Sequence, residues 1–404
     1  RADGVGAAVS QTTGADGLAT FNGLALGAYI VTETQTPAGY TGSRPFIITV
    51  PMTHPTELNK WVYDVHAYPK NAKVNVEKEV DDAQTPAVGS PISYTITADV
   101  PDAPVVDYYN VVDQYDKRVD LPENQITLRM VEAKDGEVDL VKGDDYTLIP
   151  AVGKDGKTKF WTAEFTEAGR KKMIAQRKSN DTKIVMSLEG TLKEKIGDEG
   201  LVENKAILLP GAPANNWKPG SGEVPPPDYP NAKVVSKFGK VTITKTSSVD
   251  ETKKLQGAEF QVYKCKPATK PANNFESVDA SLDTKLTVDG KDTFVTDDQG
   301  KVTIDGLRNN DWEDNEEVAD PGYYCLVETK APDGFELQSR PIAFQILASN
   351  STEANKYTLE TTVKDVPKNG GFNLPLTGAA GVGVLIGTGA LLVAGSGAIV
   401  LANK

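Results

Sequence analysis

Two lysines fall on strand faces that are otherwise apolar. In Val74-Asn-Val76-Glu-Lys78-Glu-Val80, alternation puts Lys78 on the face of Val74, Val76 and Val80; in Val241-Thr-Ile243-Thr-Lys245 the same parity aligns Lys245 with Val241 and Ile243. An ammonium ion is strongly disfavoured in an apolar interior, burial drives it toward the neutral amine, and the neutral amine is a nucleophile. Its target should be a carboxamide or carboxylic acid on a neighbouring inward position. Val202-Glu-Asn204-Lys-Ala206-Ile-Leu208 places Asn204 inward, and Tyr109-Asn-Val111-Val-Asp113 offers an acid, with Asp107 and Asp116 close by. Leu359, Thr361, Val363 and Asp365 alternate inward near the end of the chain. A buried lysine held by a carboxylate as an ion pair satisfies the same polarity rules, so these residues alone leave crosslink and salt bridge both open.

Two glutamates meet the same test. Tyr29, Val31 and Glu33 share a face, as do Tyr324, Leu326 and Glu328. A carboxylate among apolar neighbours is expected to be desolvated, to have a raised pKa and to act as a proton donor. Cys265 and Cys325 lie on strand faces opposite those of Val262 and Glu328, and in an exported chain such a pair is most simply a disulfide. With two His and two Cys in 404 residues, a zinc site or a Ser/His/Asp or Cys/His relay lacks parts. The net charge of −13, with no basic block longer than Arg170-Lys171-Lys172, leaves no footprint for nucleic acid. The acidic loop from Gly136 to Tyr146 fits no EF-hand spacing and reads as a solvated loop. No cofactor and no metal are expected. A carboxylate-pair hydrolase is motivated only by abundant Asp and Glu, without a substrate-cleft signature.

The elements that must hold these groups are strands. Period-2 stretches such as Ala258-Glu-Phe-Gln-Val262 and Tyr357-Thr-Leu-Glu-Thr-Thr-Val363, split by Gly, Asn, Asp and Pro turns, run through the chain. The one plausible helix spans Thr166 to Arg177. Self-comparison finds two copies of one pattern on either side of an unrelated middle. In the first, Asp16 to Leu24 leads to Gly27-Ala-Tyr-Ile-Val-Thr-Glu-Thr-Gln-Thr-Pro-Ala-Gly-Tyr40, Ser43-Arg-Pro45 and Tyr68-Pro-Lys-Asn71. In the second, Gln299 to Leu307 leads to Gly322-Tyr-Tyr-Cys-Leu-Val-Glu-Thr-Lys-Ala-Pro-Asp-Gly-Phe335, Ser339-Arg-Pro341 and Val366-Pro-Lys-Asn369. Aligned, the copies set Ala67 opposite Asp365. The first copy lacks its opening strands and the chain begins at Arg1 without Met, so it reads as a fragment. Pro-rich segments at Pro210 to Pro213 and Gly222 to Pro230 close the middle. The reading is all-β: tandem immunoglobulin-like sandwiches over residues 1–70, 71–237 and 238–368, then a tail over 369–404. In that tail Ala379 to Asn403 is uncharged, largely apolar and about the ~20 residues needed to span a bilayer, followed by Lys404 alone.

Leu374-Pro375-Leu376-Thr377-Gly378, the apolar span and the terminal lysine together resemble the LPxTG sorting signal of Gram-positive surface proteins, in which a sortase cysteine attacks the threonine carbonyl and releases the glycine tail. An extended Leu-Pro presents that carbonyl, and the span would hold it at the cell surface. Trp61-Val-Tyr-Asp-Val-His-Ala-Tyr-Pro-Lys70-Asn71 resembles the pilin motif of backbone pilins, with Ala67 where Val is usual; the resemblance makes Lys70 the amine that resolves the acyl-enzyme of the next subunit. Bottom-up, Trp61 and Tyr63 are expected to anchor the strand and Pro69 to end its pairing, leaving Lys70 at a joint. The segments around Glu33 and Glu328 resemble the pilin E-box.

The buried-lysine arrangements resemble the isopeptide domains of Cna-type pilins, where a lysine attacks an asparagine beside a protonated Asp or Glu. That resemblance pairs Lys78 with Asn204 beside Asp113, losing ammonia, and Lys245 with Asp365 beside Glu328, losing water because the acceptor is Asp and not the usual Asn. The first region, with Ala67, should lack such a bond. The whole resembles the SpaA-type major pilins of corynebacteria and relatives. It implies a structural shaft subunit that is not an enzyme beyond its own crosslinking. The implied partners are a class C pilin sortase and a housekeeping sortase, identical subunits in a covalent polymer, minor tip and base pilins, and peptidoglycan. The implied location is an extracellular, wall-anchored pilus reached through transient membrane anchoring. The alternative is a wall-anchored adhesin or base subunit.

Overall fold

Along Val76–Asp81 and Pro91–Asp99 every second side chain is buried, as strands with one wet face require. The computed structural model describes residues 6–194, 200–213, 217–350 and 357–368. In its middle, one sheet runs Gly136–Asp139, Ile126–Ala133, Lys183–Leu192, Pro91–Asp99, Val76–Asp81. A second runs Tyr146–Val152, Thr158–Phe165, Asn110–Asp116, Leu201–Leu209, Asn231–Ser247. Ile96, Tyr109, Met130, Phe165 and Met186 belong to the core these sheets enclose. The expected helix forms over Glu167–Gln176, capped by the Thr166 side chain, which accepts from the Gly169 N–H. Gly169 packs so close that a Cβ there would meet the Asp145 carbonyl oxygen at 1.9 Å. In the acidic loop, the Asp145 carboxylate accepts from the Val141 N–H and from Lys172.

The strand Asn231–Ser247 serves two sandwiches. Its first half pairs antiparallel with Leu201–Leu209, while its second half pairs antiparallel with Lys301–Arg308 and parallel with Thr358–Asp365. The boundary expected between 237 and 238 therefore falls inside one unbroken strand. Opposite its second half lies a sheet ordered Glu276–Ser277, Ile342–Phe344, Tyr323–Lys330, Glu259–Pro267, Ala280–Lys285, and Phe260, Leu326 and Phe344 fill the core between. The junction is polar and closed: Trp312 Nε1 donates to the Val235 carbonyl at 2.7 Å, and Arg308 lies between Glu313 at 2.6 Å and Asp82 at 3.5 Å.

The first repeat is thinner. Gly27–Val31 pairs with Phe46–Val50, Met52–Thr53 with Trp61–Val62, and Tyr40–Thr41 with Ala72–Lys73. Its turn approaches the middle sandwich, where Ala38 packs beside Trp217 and Tyr229, and Gly39, at φ +80°, lets Pro230 come close. The anchoring role expected of Trp61 and Tyr63 is not what the structure gives: they are 63% and 67% exposed. Among the described residues no helix is long and apolar enough to cross a membrane. Leu374 to Gly378 and the apolar span after them lie outside the described residues.

Candidate functional site

In the middle sandwich, Lys78 comes from the first strand of one sheet and Asp113 and Asn204 from adjacent strands of the other. Lys78 Nζ donates to Asp113 Oδ1 at 2.6 Å, and both side chains are wholly buried. Asp107 is exposed and Asp116 is engaged by Arg118, which leaves Asp113 as the acid at this amine. Burial pushes the lysine pKa down, against the attraction of Asp113. Burial likewise pushes Asp113 up, against Lys78. Both shifts favour a neutral amine beside a neutral acid. Asn204, 1% exposed, lies alongside Asp113 and Tyr94. The Tyr94 ring, 5.1 Å from Lys78 Nζ, lines the site and was not foreseen.

In the last sandwich, Lys245 on the first strand meets Asp365 on the last, its parallel neighbour, and donates to Asp365 Oδ1. Its Nζ also stands 2.8 Å from Glu328 Oε1, and all three side chains are wholly buried. Burial raises the Glu328 pKa, while the bond and charge of Lys245 oppose the rise. Gln338, also not foreseen, closes the site: its N–H donates to Glu328 Oε2 at 2.9 Å and its Nε2 to Asp365 Oδ1 at 3.2 Å. Each site thus gathers in a dry pocket a lysine, an acid beside it and a further carboxamide or carboxyl side chain.

Glu33 is not placed like Glu328. It is half-buried, accepting from the Ser43 N–H at 3.2 Å and from Asn71 Nδ2 at 2.8 Å, so the desolvated proton donor expected there is not found. Lys70 is exposed, one residue before Asn71. Cys265 and Cys325 form a disulfide with Cα atoms 5.8 Å apart, joining adjacent strands.

Known proteins share this arrangement of domains. Residues 2–72 match the Gram-positive pilin subunit D1, N-terminal domain, and residues 239–361 match the SpaA prealbumin-like fold domain. The chain is 41% identical to the fimbrial subunit type 1 of Actinomyces viscosus, over 97% of this chain and 76% of that one. It is 33% identical to the fimbrial subunit type 2 of Actinomyces naeslundii, over 98% and 73%. Among solved structures, the fimbrial protein FimP of Actinomyces oris superposes with TM-score 0.64 at 37% identity, over 85% of this chain and 79% of that one. The full-length major pilin SpaD of Corynebacterium diphtheriae does so with TM-score 0.64 at 30% identity, over 89% and 84%. These matches run through the sandwiches that carry both buried lysines and through the repeat that carries Lys70, and on them the chain belongs to the Gram-positive pilins, as a structural and non-enzymatic subunit of a cell-surface fimbria.

Proposed function

We propose that this subunit is a covalent cable element, stiffened inside by two isopeptide bonds and joined end to end from Thr377 to Lys70 of the next subunit. One observation carries the reading: in two successive sandwiches a fully buried lysine on the first strand meets an acid, Asp113 with Asn204 alongside in one and Asp365 with Glu328 in the other. A bond there ties the strand where the chain enters a sandwich to one far along it. It also closes a loop of most of the domain, which limits extension and constrains the unfolded chain as a disulfide does. At Lys78 the amine attacks Asn204 Cγ, the new C–N bond replaces the old one, and ammonia leaves with the proton that Asp113 relays. At Lys245 the same attack on Asp365 Cγ expels water, with Glu328 as relay.

For the intersubunit bond, a sortase thiolate attacks the Thr377 carbonyl, the Thr377–Gly378 amide breaks, and Gly378 leaves as a protonated amine. The neutral Lys70 amine of another subunit then attacks the thioester, the thiolate leaves, and the surplus proton goes to solvent. The class C sortase performing this step, the housekeeping sortase, tip and base pilins, and peptidoglycan anchoring after transient membrane retention are parts of the same proposal. So is the division of the chain at residues 70, 237 and 368.

The test has two readouts. Intact mass should lie one ammonia and one water below that of the sequence, and an unchanged mass would overturn both crosslinks. The full chain displayed with its sortase should give a ladder that survives boiling and vanishes in Lys70→Ala. Monomer attached to wall, without a ladder, would instead make the chain an adhesin or base subunit.

A further inference from the structure

Glu33 and Glu328 hold corresponding places in the two repeats, and their carboxylates are cradled alike. Oε2 of each accepts from a backbone N–H ten residues on, Ser43 at 3.2 Å and Gln338 at 2.9 Å. What faces the other oxygen differs. Glu328 Oε1 stands 2.8 Å from the Lys245 amine, whereas Glu33 Oε1 accepts from Asn71 Nδ2 at 2.8 Å. Asn71 is the residue after Lys70.

The surroundings are shaped for this contact. A Cβ on Gly42 would come within 3.2 Å of Glu33 Oε2 and 2.7 Å of Thr36 Cγ2, so the absence of a side chain at Gly42 leaves the carboxylate its room. The last repeat, whose glutamate faces a lysine, has Leu337 at the matching place. Asn71 Oδ1 is shut from solvent and without a partner, and a flipped carboxamide would turn it onto the Glu33 carboxylate; the charge therefore fixes the orientation. After Asn71 the chain is anchored: Ala72 and Lys73 pair with Thr41 and Tyr40, and the Val74 N–H donates to the Gly39 carbonyl at 3.0 Å. Before it, Tyr63 to Lys70 form no ladder and, Val65 apart, are exposed. Lys70 thus ends a loosely held run, one residue from the point where the backbone becomes fixed, and the side-chain contact at that point is Asn71 on Glu33.

We propose that Glu33 is a positioning residue for intersubunit linkage: through Asn71 it fixes the backbone from which Lys70 reaches the acyl-enzyme. The inference rests on Lys70 being the acceptor, as proposed above. Glu33 touches none of the reacting atoms. It acts by narrowing the orientations that the lysine samples before attack, and misplacement of a reacting group is costly in rate.

The experiment uses the full chain displayed with its pilin sortase and reads two rates, cleavage after Thr377 and growth of the boiling-resistant ladder. Glu33→Ala should slow ladder growth about tenfold while cleavage stays within about twofold of wild type. Asn71→Asp, which sets two carboxylates against each other, should do the same. The pair Glu33→Gln with Asn71→Asp exchanges donor and acceptor: the introduced glutamine keeps its oxygen for the Ser43 N–H and turns its amide onto the introduced aspartate. That pair should recover ladder growth to within about threefold of wild type. Where alanine at position 33 loosens the first repeat, the exchanged pair decides. An exchanged pair as slow as Asn71→Asp would mean that the enzyme reads Asn71 directly, and would overturn the inference. So would wild-type laddering by Glu33→Ala when Lys70→Ala gives none, with Lys70 still the acceptor. A ladder persisting in Lys70→Ala would remove the acceptor itself, and the positioning role with it.

Discussion

The two repeats hold a glutamate in the same backbone cradle and surround it differently. In the last repeat two sheets enclose Glu328 with Lys245 and Asp365, and desolvation raises its pKa. In the first, Glu33 sits half-buried at the edge of a two-stranded pair and binds a carboxamide. The motif fixes where a carboxylate stands; the groups around it fix what it meets, an amine in one repeat and a carboxamide in the other. Ala67, aligned with Asp365, removes the acceptor carbon from the first repeat, so even a lysine beside Glu33 would have nothing to attack.

The comparison breaks most visibly at Lys245. Lys245→Ala removes the amine and leaves Glu328 and Asp365 facing each other in a dry core. Losing one partner of such a buried set should cost about 3–5 kcal/mol, beyond the loss of the crosslink. The expected outcome is a marked fall in thermal stability and, by mass, loss of only the ammonia. A variant that still shows the wild-type deficit of one water would place that bond elsewhere.

Glu328→Gln and Glu33→Gln should part company. The first cannot supply a proton, so the water loss at Lys245 and Asp365 should fail; the second should leave the mass of the chain as in wild type. The pH dependence follows from the raised Glu328 pKa. Only the acid form relays, so in freshly synthesised wild-type chain, before the bond has formed, the crosslinking rate should be full below that pKa and fall as pH rises through it. A rate that instead climbs across this range would assign the limiting proton to another group.

How much of this was legible follows from geometry. A strand has a period of two, so parity alone set Lys78, Asn204, Lys245 and Asp365 inward, and all are buried. Parity says nothing about what stands across a sandwich. Nor does it give the pairing register that sets Tyr94 beside Lys78 or the loop that returns Gln338 to Glu328 ten residues on, and Asn71 reaches Glu33 across 38 residues. Parity also made Glu33 equivalent to Glu328, but it does not say which group meets the carboxylate, Asn71 in one repeat and Lys245 in the other. Nor does it say that Trp61 and Tyr63 stand exposed. Asn231–Ser247 changes partner between Lys237, paired with Leu201, and Phe238, paired with Arg308, but alternation did not show that one unbroken strand would serve both sandwiches.

The disulfide sharpens the contrast with a smaller effect. Cys325 aligns with Ile30, which is 66% exposed, so only the last repeat carries a bridge on its outer face. Loop-closure entropy for its 60-residue separation is worth about 4 kcal/mol. That loop lies within the 120-residue span between Lys245 and Asp365, whose closure already restricts the unfolded chain. Reduction should therefore cost about 2 kcal/mol in wild type and about 4 kcal/mol in Lys245→Ala, a non-additivity that denaturant titration of the four forms would measure. Equal costs would show that the long span is open.

The smallest expected effect tests the first repeat's cradle. Gly42→Ala places a methyl group 2.7 Å from Thr36 Cγ2 and 3.2 Å from Glu33 Oε2, so the threonine must turn and the carboxylate must shift by a few tenths of an ångström. Overpacking at a half-buried site that can relax should cost about 1 kcal/mol or less. A shift of that size weakens the bond to Asn71 without breaking it. Ladder growth should then slow about threefold, cleavage after Thr377 and the mass deficit of the two crosslinks staying as in wild type. Leu337→Ala, at the matching place in the last repeat, should leave ladder growth unchanged. Equal slowing by both variants would mean that the cradle matters through stability alone and that the two repeats do not divide the work.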